Sequence, residues 1–200
     1  MEMITKTYID IPVSEQEILH YAGCRQADEK VLALLRSCLQ EAKAQIQYKV
    51  CYCVLPITIR DDRCNFSIFQ VTSNALARHL KDANQVLIFA ATLGVGLDRL
   101  INRYGRLSPA KSLLFQAIGA AQIEALCDQF CDNMEKEIGY SLLPRFSPGY
   151  GDLPLDVQKH IFSLLDCERK IGLTLNESLI MSPSKSVTAF VGMARQADHQ

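Results

Sequence analysis

The sequence has no excess of either charge: Lys and Arg number 21 against 22 Asp and Glu, a formal net charge of −1 at pH 7. No local run of Lys or Arg compensates, so the electrostatic footprint of sequence-independent nucleic-acid binding is missing and no nucleic-acid partner is expected. Long apolar runs are missing too. The longest, Val86 to Leu97, is about half of the ~20 residues that span a bilayer. The start, Met1-Glu2-Met3-Ile4-Thr5-Lys6, lacks a basic end followed by an apolar block, so no secretory signal is read. The expectation is a cytoplasmic protein with no membrane partner. There is no internal repeat, no low-complexity tract and no linker long enough to separate two domains.

Metal-ligand spacings are absent as well: no CxxC and no HxxxH occurs. Eight cysteines are present (Cys24, Cys38, Cys51, Cys53, Cys64, Cys127, Cys131 and Cys167), but a chain of 200 residues that is 48% hydrophobic can bury a core without a disulfide framework. They read as reduced, buried, small hydrophobes. Cys127 and Cys131 stand four apart on a helix face, and two ligands of a metal are the alternative to core packing there. His20, His79, His160 and His199 are scattered, and no Ser–His–Asp or Cys–His order points to a nucleophile.

What is present is a mixture of helix and strand signals, hence an α+β fold. Ser14-x-x-Glu17 starts a short helix to Tyr21, with Gly23 as its stop. From Asp28, apolar residues at spacings of three and four (Val31, Leu34, Leu35, Cys38, Leu39, Ala42, Ile46) mark a helix of about five turns. Residues 49–60 and 65–71 are rich in β-formers, with Asp61-Asp62-Arg63 as the turn of an antiparallel hairpin. A helix over 73–80 precedes a strand over 85–92, apolar enough to be covered on both faces. Gly94-Val95-Gly96 then turns into a helix at Leu97. A phosphate-cradling loop would need a further glycine where Arg99 stands, so a plain connection is the stronger reading.

Ser108 and Pro109 cap the longest helix, lined by Leu113, Ala117, Ala120, Ile123, Cys127, Phe130, Met134 and Ile138 and stopped by Gly139. Gly119-Ala120-Ala121 leaves room on it for close approach by a neighbour. Residues 141–151 are too rich in Pro and Gly for a helix or an interior strand and read as a loop. Asp152 and Pro154 open another helix, striped by Val157, Ile161, Leu164 and Leu165 and ended by Gly172. A last strand covers 186–193.

The loop around Arg145-Phe146-Ser147-Pro148-Gly149-Tyr150 concentrates chemical tools. Arg145 offers a planar fork for a carboxylate or phosphate, and Gly149 and Gly151 let backbone come close to a ligand. Tyr150 adds a flat face and a hydroxyl. The alternative is a rigid turn in which Arg145 caps carbonyls of the preceding helix and Tyr150 packs.

The pattern Arg145-x-x-x-Gly149-Tyr150, followed by Pro154, resembles the ligand loop of the activation domain of cobalamin-dependent methionine synthase. The similarity continues through Leu164-Leu165-Asp166, Glu168, Lys170-Ile171-Gly172, Leu175-Asn176-Glu177-Ser178, Pro183 and Ser186-Val187. It extends more faintly back to Arg60 through Phe89-Ala90-Ala91-Thr92-Leu93-Gly94. The resemblance implies a single α+β domain with a mixed or antiparallel sheet packed by long helices. Residues 51–200 would form the activation-domain-like core and residues 1–50 a helical segment, either joined to it or apart.

It further implies S-adenosylmethionine as ligand, with Arg145 on the methionine carboxylate, the backbone of Phe146, Ser147, Pro148 and Gly149 at the adenine, and Tyr150 bordering the ligand. The implied task is to reactivate cob(II)alamin by one-electron reduction, usually from flavodoxin, and remethylation. No Asp-x-His-x-x-Gly segment supplies a cobalt-ligating histidine, since Asp198 and His199 are adjacent at the terminus. An acidic-Gly-x-Gly loop of the common methyltransferases is also absent. Cobalamin is therefore expected on a partner, a methionine synthase or related corrinoid protein. The family's acidic contact near the N-terminus and its downstream tyrosine have no counterpart identified here. Glu177 is a candidate acid behind the ligand contacts, with an exposed turn carboxylate as the alternative. The second functional reading is a non-enzymatic scaffold that docks a corrinoid methyltransferase.

Overall fold

The structure, a computed structural model, describes residues 2–195; Asp198 and His199 lie outside them. The chain opens on β1 (Ile4–Tyr8), then α1 (Glu15–Tyr21) and α2 (Glu29–Lys43). Both helices start on side-chain caps: the Ser14 hydroxyl accepts from Glu17 N–H, and Asp28 from Val31 N–H at 2.9 Å. β1 was not anticipated. It is exposed and short, and its partner β2 (Tyr48–Pro56) comes some forty residues later, so local pattern alone does not reveal it.

The expected hairpin over 49–71 is present only at its tip. β2 enters the large sheet and ends at Pro56, which has no N–H for a continuing ladder. The segments β3 (Thr58–Arg60), β4 (Arg63–Asn65) and β5 (Gln70–Thr72) form a separate small antiparallel sheet. Next come α3 (Asn74–His79), β6 (Gln85–Thr92), α4 (Val95–Leu107), the spine α5 (Pro109–Ile138) and β7 (Tyr140–Leu142). After the loop, a 3-10 turn at Leu155–Val157 leads into α6 (Gln158–Leu165), α7 (Cys167–Ile171), the two-residue strands β8 (Thr174–Leu175) and β9 (Met181–Ser182), and β10 (Ser186–Arg195).

The large sheet has the order β1-β2-β6-β10-β7, with every neighbour antiparallel. The fold is thus α+β in one domain. β6 is central, and its residues alternate between two cores. Leu87, Phe89 and Ala91 face a core built with α1, α2, α4 and α5, while Val86, Ile88 and Ala90 face one built with α3, α6, α7 and the small sheet. Burial on both faces explains its unbroken apolar run.

The spine follows its sequence signals, with Ser108 as N-cap, Pro109 in the first turn and Gly139 in the left-handed conformation at the C-cap. One stripe residue departs, since Leu113 is exposed. Close approach occurs where expected: a Cβ on Gly119 would stand 2.6 Å from Leu97 Cδ2. Gly96 is occupied in the same way, with the Gln45 carbonyl oxygen 2.3 Å from where its Cβ would be. The 94–96 junction is therefore a packing turn, and the phosphate reading falls. Among the described residues, no helix is long and apolar enough to cross a membrane.

Candidate functional site

The segment read as a loop over 141–151 begins as strand. β7 pairs with the end of β10, Leu143 N–H donates to Gly192 O at 2.9 Å, and Phe146 and Phe190 exchange both backbone bonds at 2.9 and 2.8 Å. β7 is an edge strand, and Pro144, Pro148, Gly149 and Gly151 all lie beyond its end. Beyond Phe146 the chain leaves β10 and folds on itself, with Tyr150 N–H on Ser147 O, Leu153 N–H on Tyr150 O and Gly149 N–H on Leu153 O. Gly151 lies at φ +57°, and a Cβ there would meet the Ala75 Cβ at 2.8 Å, so both its backbone and its close approach to α3 require glycine.

Asp152 does not open the following helix as expected. Its carboxylate reaches α3, accepting from the Ser73 hydroxyl and from the N–H groups of Asn74 and Ala75, while Pro154 precedes the 3-10 turn without a side-chain cap. His79 Nε2 donates to Pro144 O at 2.7 Å and holds the other end of the loop.

Where the loop diverges from β10, a cavity of about 400 Å³ opens. Arg145, Ser147, Pro148 and Tyr150 line it from the loop, Glu124 from α5, and Gln158 and Thr188 from α6 and β10. Arg145 does not cap helix carbonyls. Its Nη2 donates to Glu124 Oε2 at 2.6 Å and its Nη1 to Asp128 Oδ1, both on α5. The guanidinium carries five N–H donors, and its side chain keeps 22% of its exposure, so a fork remains for a further anion beside Glu124.

Tyr150 lines the cavity and is exposed. Phe146 departs from the expected set. Its N–H and C=O both serve the Phe190 bridge and its ring packs into the second core, so its backbone does not line the cavity. Gly149 shapes the turn, its N–H committed to Leu153.

Sequence reading missed Glu124, Gln158 and Thr188 among the lining residues. Glu124 stands three before Cys127 and seven before Cys131, on the flank of the spine's apolar stripe. Gln158 stands three before Ile161 and seven before Leu165, a polar residue on a buried stripe. Thr188 shares its strand face with Ser186 and Phe190. A polar residue at a buried phase is the signal in each case, and it becomes visible only once the phase is known.

Other candidates fall elsewhere. Glu177 is exposed in the β8–β9 turn and does not line the cavity. Cys127 is buried and Cys131 partly buried, and burial pushes both thiols up, Cys131 to about 11. Among the described residues, no three of His, Cys, Asp or Glu converge as a metal site. His160 stacks on Phe69.

A family model described as "Vitamin B12 dependent methionine synthase, activation domain" matches residues 70–199. Among solved structures, the fold is similar to a crystal structure of the MetH reactivation domain bound to AdoHcy, with a TM-score of 0.71 and 14% sequence identity, covering 100% of this chain and 81% of that one. No curated protein matches in sequence.

Proposed function

Since this chain belongs to the activation-domain family of vitamin B12 dependent methionine synthase, we propose that it binds S-adenosylmethionine in the cavity beside Arg145 and serves the reductive methylation of cob(II)alamin held by a separate protein. The observation that carries the reading is the Arg145–Glu124 pair at the cavity wall. An α-amino acid is a zwitterion: its carboxylate suits the remaining Arg145 fork and its ammonium suits Glu124, so two opposite charges on one wall match two on one ligand. The loop brings Ser147 and Pro148 to the same space, and Tyr150 closes its rim. These residues fit the ligand. The bound sulfonium would supply the methyl group; this chain's own part is to hold and orient it.

The proposed partner is a cobalamin-binding methionine synthase or related corrinoid protein, with flavodoxin as the one-electron donor. Support for docking comes from Tyr150, which lines the cavity and is 68% exposed. A scaffold that docks without binding ligand uses the same rim.

Titration calorimetry separates the two readings. Wild type is expected to bind S-adenosylmethionine saturably, and Arg145→Ala to lose about 1.5–3 kcal/mol, a charge-assisted bond. Arg145→Lys should recover only part of this, because a point charge replaces the fork. Unchanged affinity in Arg145→Ala removes the clamp. Absence of binding by wild type, even with the corrinoid partner present, leaves the scaffold reading.

A further inference from the structure

A second cavity, of about 420 Å³, lies on the other side of the spine. Gln122 lines it and Glu124 lines the first; residues two apart on a helix point about 200° from one another, so α5 stands between the two spaces. Its walls are largely aliphatic. Ile11 comes from the link between β1 and α1, Leu39 from α2, Ile46 from just beyond α2, and Ile118 from α5. The exposed part of the lining carries Asp10 and Lys43, whose Oδ2 and Nζ pair at 2.8 Å, so the two charges there cancel.

Against this apolar lining stand two buried polar side chains. Tyr48, 6% exposed, donates its hydroxyl to Gln122 Oε1 at 2.8 Å, and burial pushes its phenol up to about 12, which keeps it a donor at neutral pH. Gln122 is 7% exposed, and among the described residues no hydrogen bond engages its Nε2. Turning the amide over does not help, because Nε2 would then meet the Tyr48 oxygen and the phenol hydrogen would lose its acceptor.

Nor is Nε2 sealed in. Among the described residues, the side-chain nitrogens and oxygens that are both sealed and unpartnered are Tyr8 Oη, Gln158 Oε1 and Thr188 Oγ1. Nε2 therefore keeps accessible surface, and the space that Gln122 lines is this cavity. A donor held by a buried partner and opening into an aliphatic pocket is the pattern of a small-molecule site, where few placed polar groups orient a mostly apolar ligand.

The lining selects a ligand class. A charged group would enter aliphatic walls without a free counter-charge, at a high cost in lost hydration. A wholly apolar body would strip Nε2 of water and leave it unpaired. A neutral, mainly apolar molecule with one carbonyl oxygen meets both conditions. We propose that this cavity is a second ligand site, taking an uncharged apolar ketone or carboxamide whose oxygen accepts from Gln122 Nε2.

The test uses three compounds of similar shape, titrated into the full chain labelled at its isoleucine δ1-methyl groups and followed by NMR. Acetophenone carries C=O, α-methylstyrene carries C=CH2 in its place, and benzoate is charged. Acetophenone should give saturable shifts at Ile11, Ile46 and Ile118 and none at Ile88 and Ile161 in the second core. Benzoate should move none of the five.

The double variant Tyr48→Phe/Gln122→Met removes both polar groups at once, so that no phenol is orphaned. In it, affinity for acetophenone should fall about ten-fold or more relative to that for α-methylstyrene, because a carbonyl is then buried without a donor. Ala42→Met, which fills the cavity from α2, should abolish binding of both compounds in a protein that remains folded.

Wild type that shows no saturable acetophenone shifts at the three isoleucines overturns the proposal, as does benzoate binding as tightly as acetophenone. A double variant that keeps the wild-type ratio of the two neutral compounds removes Gln122 as the donor. Should the double variant fail to fold, Ala42→Met decides: undiminished shifts with the cavity filled place the compounds elsewhere and overturn the site.

Discussion

Asp152 ties the loop to α3 through one carboxylate. Oδ1 accepts from the Ser73 hydroxyl at 2.5 Å and Ala75 N–H at 3.0 Å, and Oδ2 from Asn74 N–H at 2.8 Å. These donors, the Ser73 hydroxyl foremost, favour the charged form and hold the carboxyl well below the usual carboxylate range. A depressed folded value gives stability that is fully present above the unfolded value of about 3.9 and lost as the pH falls below it. Urea unfolding of wild type and Asp152→Asn should therefore show a wild-type advantage at pH 7 that shrinks steadily below about pH 4; an advantage independent of pH would mean that charge plays no part. Arg145, Gly149 and Tyr150 are legible in the sequence because they lie within six residues of one another. Asp152's partners are not, for its bonds cross nearly eighty residues to α3. Glu124 and Thr188 are hidden for the same reason: their role depends on which helix and which strand flank the loop.

The elements were most legible where periodicity and capping agree, and least where the chain bends to keep a stripe inward. α2 and α5 run between their sequence signals. The helix expected from 152 to Gly172 is broken instead at Asp166, which takes φ +50° between α6 and α7. On an unbroken helix Glu168 would stand three after Leu165 and seven after Ile161, inside the buried stripe. The left-handed residue shifts the phase, so that Cys167 and Ile171 turn inward and Glu168 stays exposed. Caps allow a test of how far local geometry sets element stability. Asp28 accepts from Val31 N–H at 2.9 Å, whereas Ser108 accepts from Lys111 N–H at 3.5 Å. Loss of a good N-cap costs about 1 kcal/mol. Asp28→Ala should therefore lower the urea midpoint by that equivalent, and Ser108→Ala by clearly less, with unchanged m-values. The reverse order would show that tertiary packing overrides cap geometry at these two starts.

At the scale of the whole molecule, strand pairing is what no window of sequence contains. β10 lies between β6 and β7, and β1 closes the other edge on β2, so each neighbour is chosen by which apolar faces the helices leave to be covered. Whether residues 1–50 form a unit of their own then becomes a question of cooperativity. β1 pairs with β2 along its full length, α2 packs on α5, and Cys38 of α2 belongs to the same buried core as Cys127 of α5. These contacts argue for one folding unit over the described residues. The cysteines are its reporters, since Cys38, Cys51, Cys53, Cys64, Cys127 and Cys167 are buried on both sides of the sheet. Burial also pushes the Cys53 and Cys64 thiols up to about 11, which leaves little thiolate at neutral pH. Pulsed alkylation at pH 7.5 with mass spectrometry should modify Cys24 first, in the exposed turn after α1. The six buried thiols should react only through global opening, at rates that rise together with urea and share one slope. If Cys38 becomes reactive at lower urea than Cys51 or Cys167, the N-terminal segment opens separately and the single-unit reading fails.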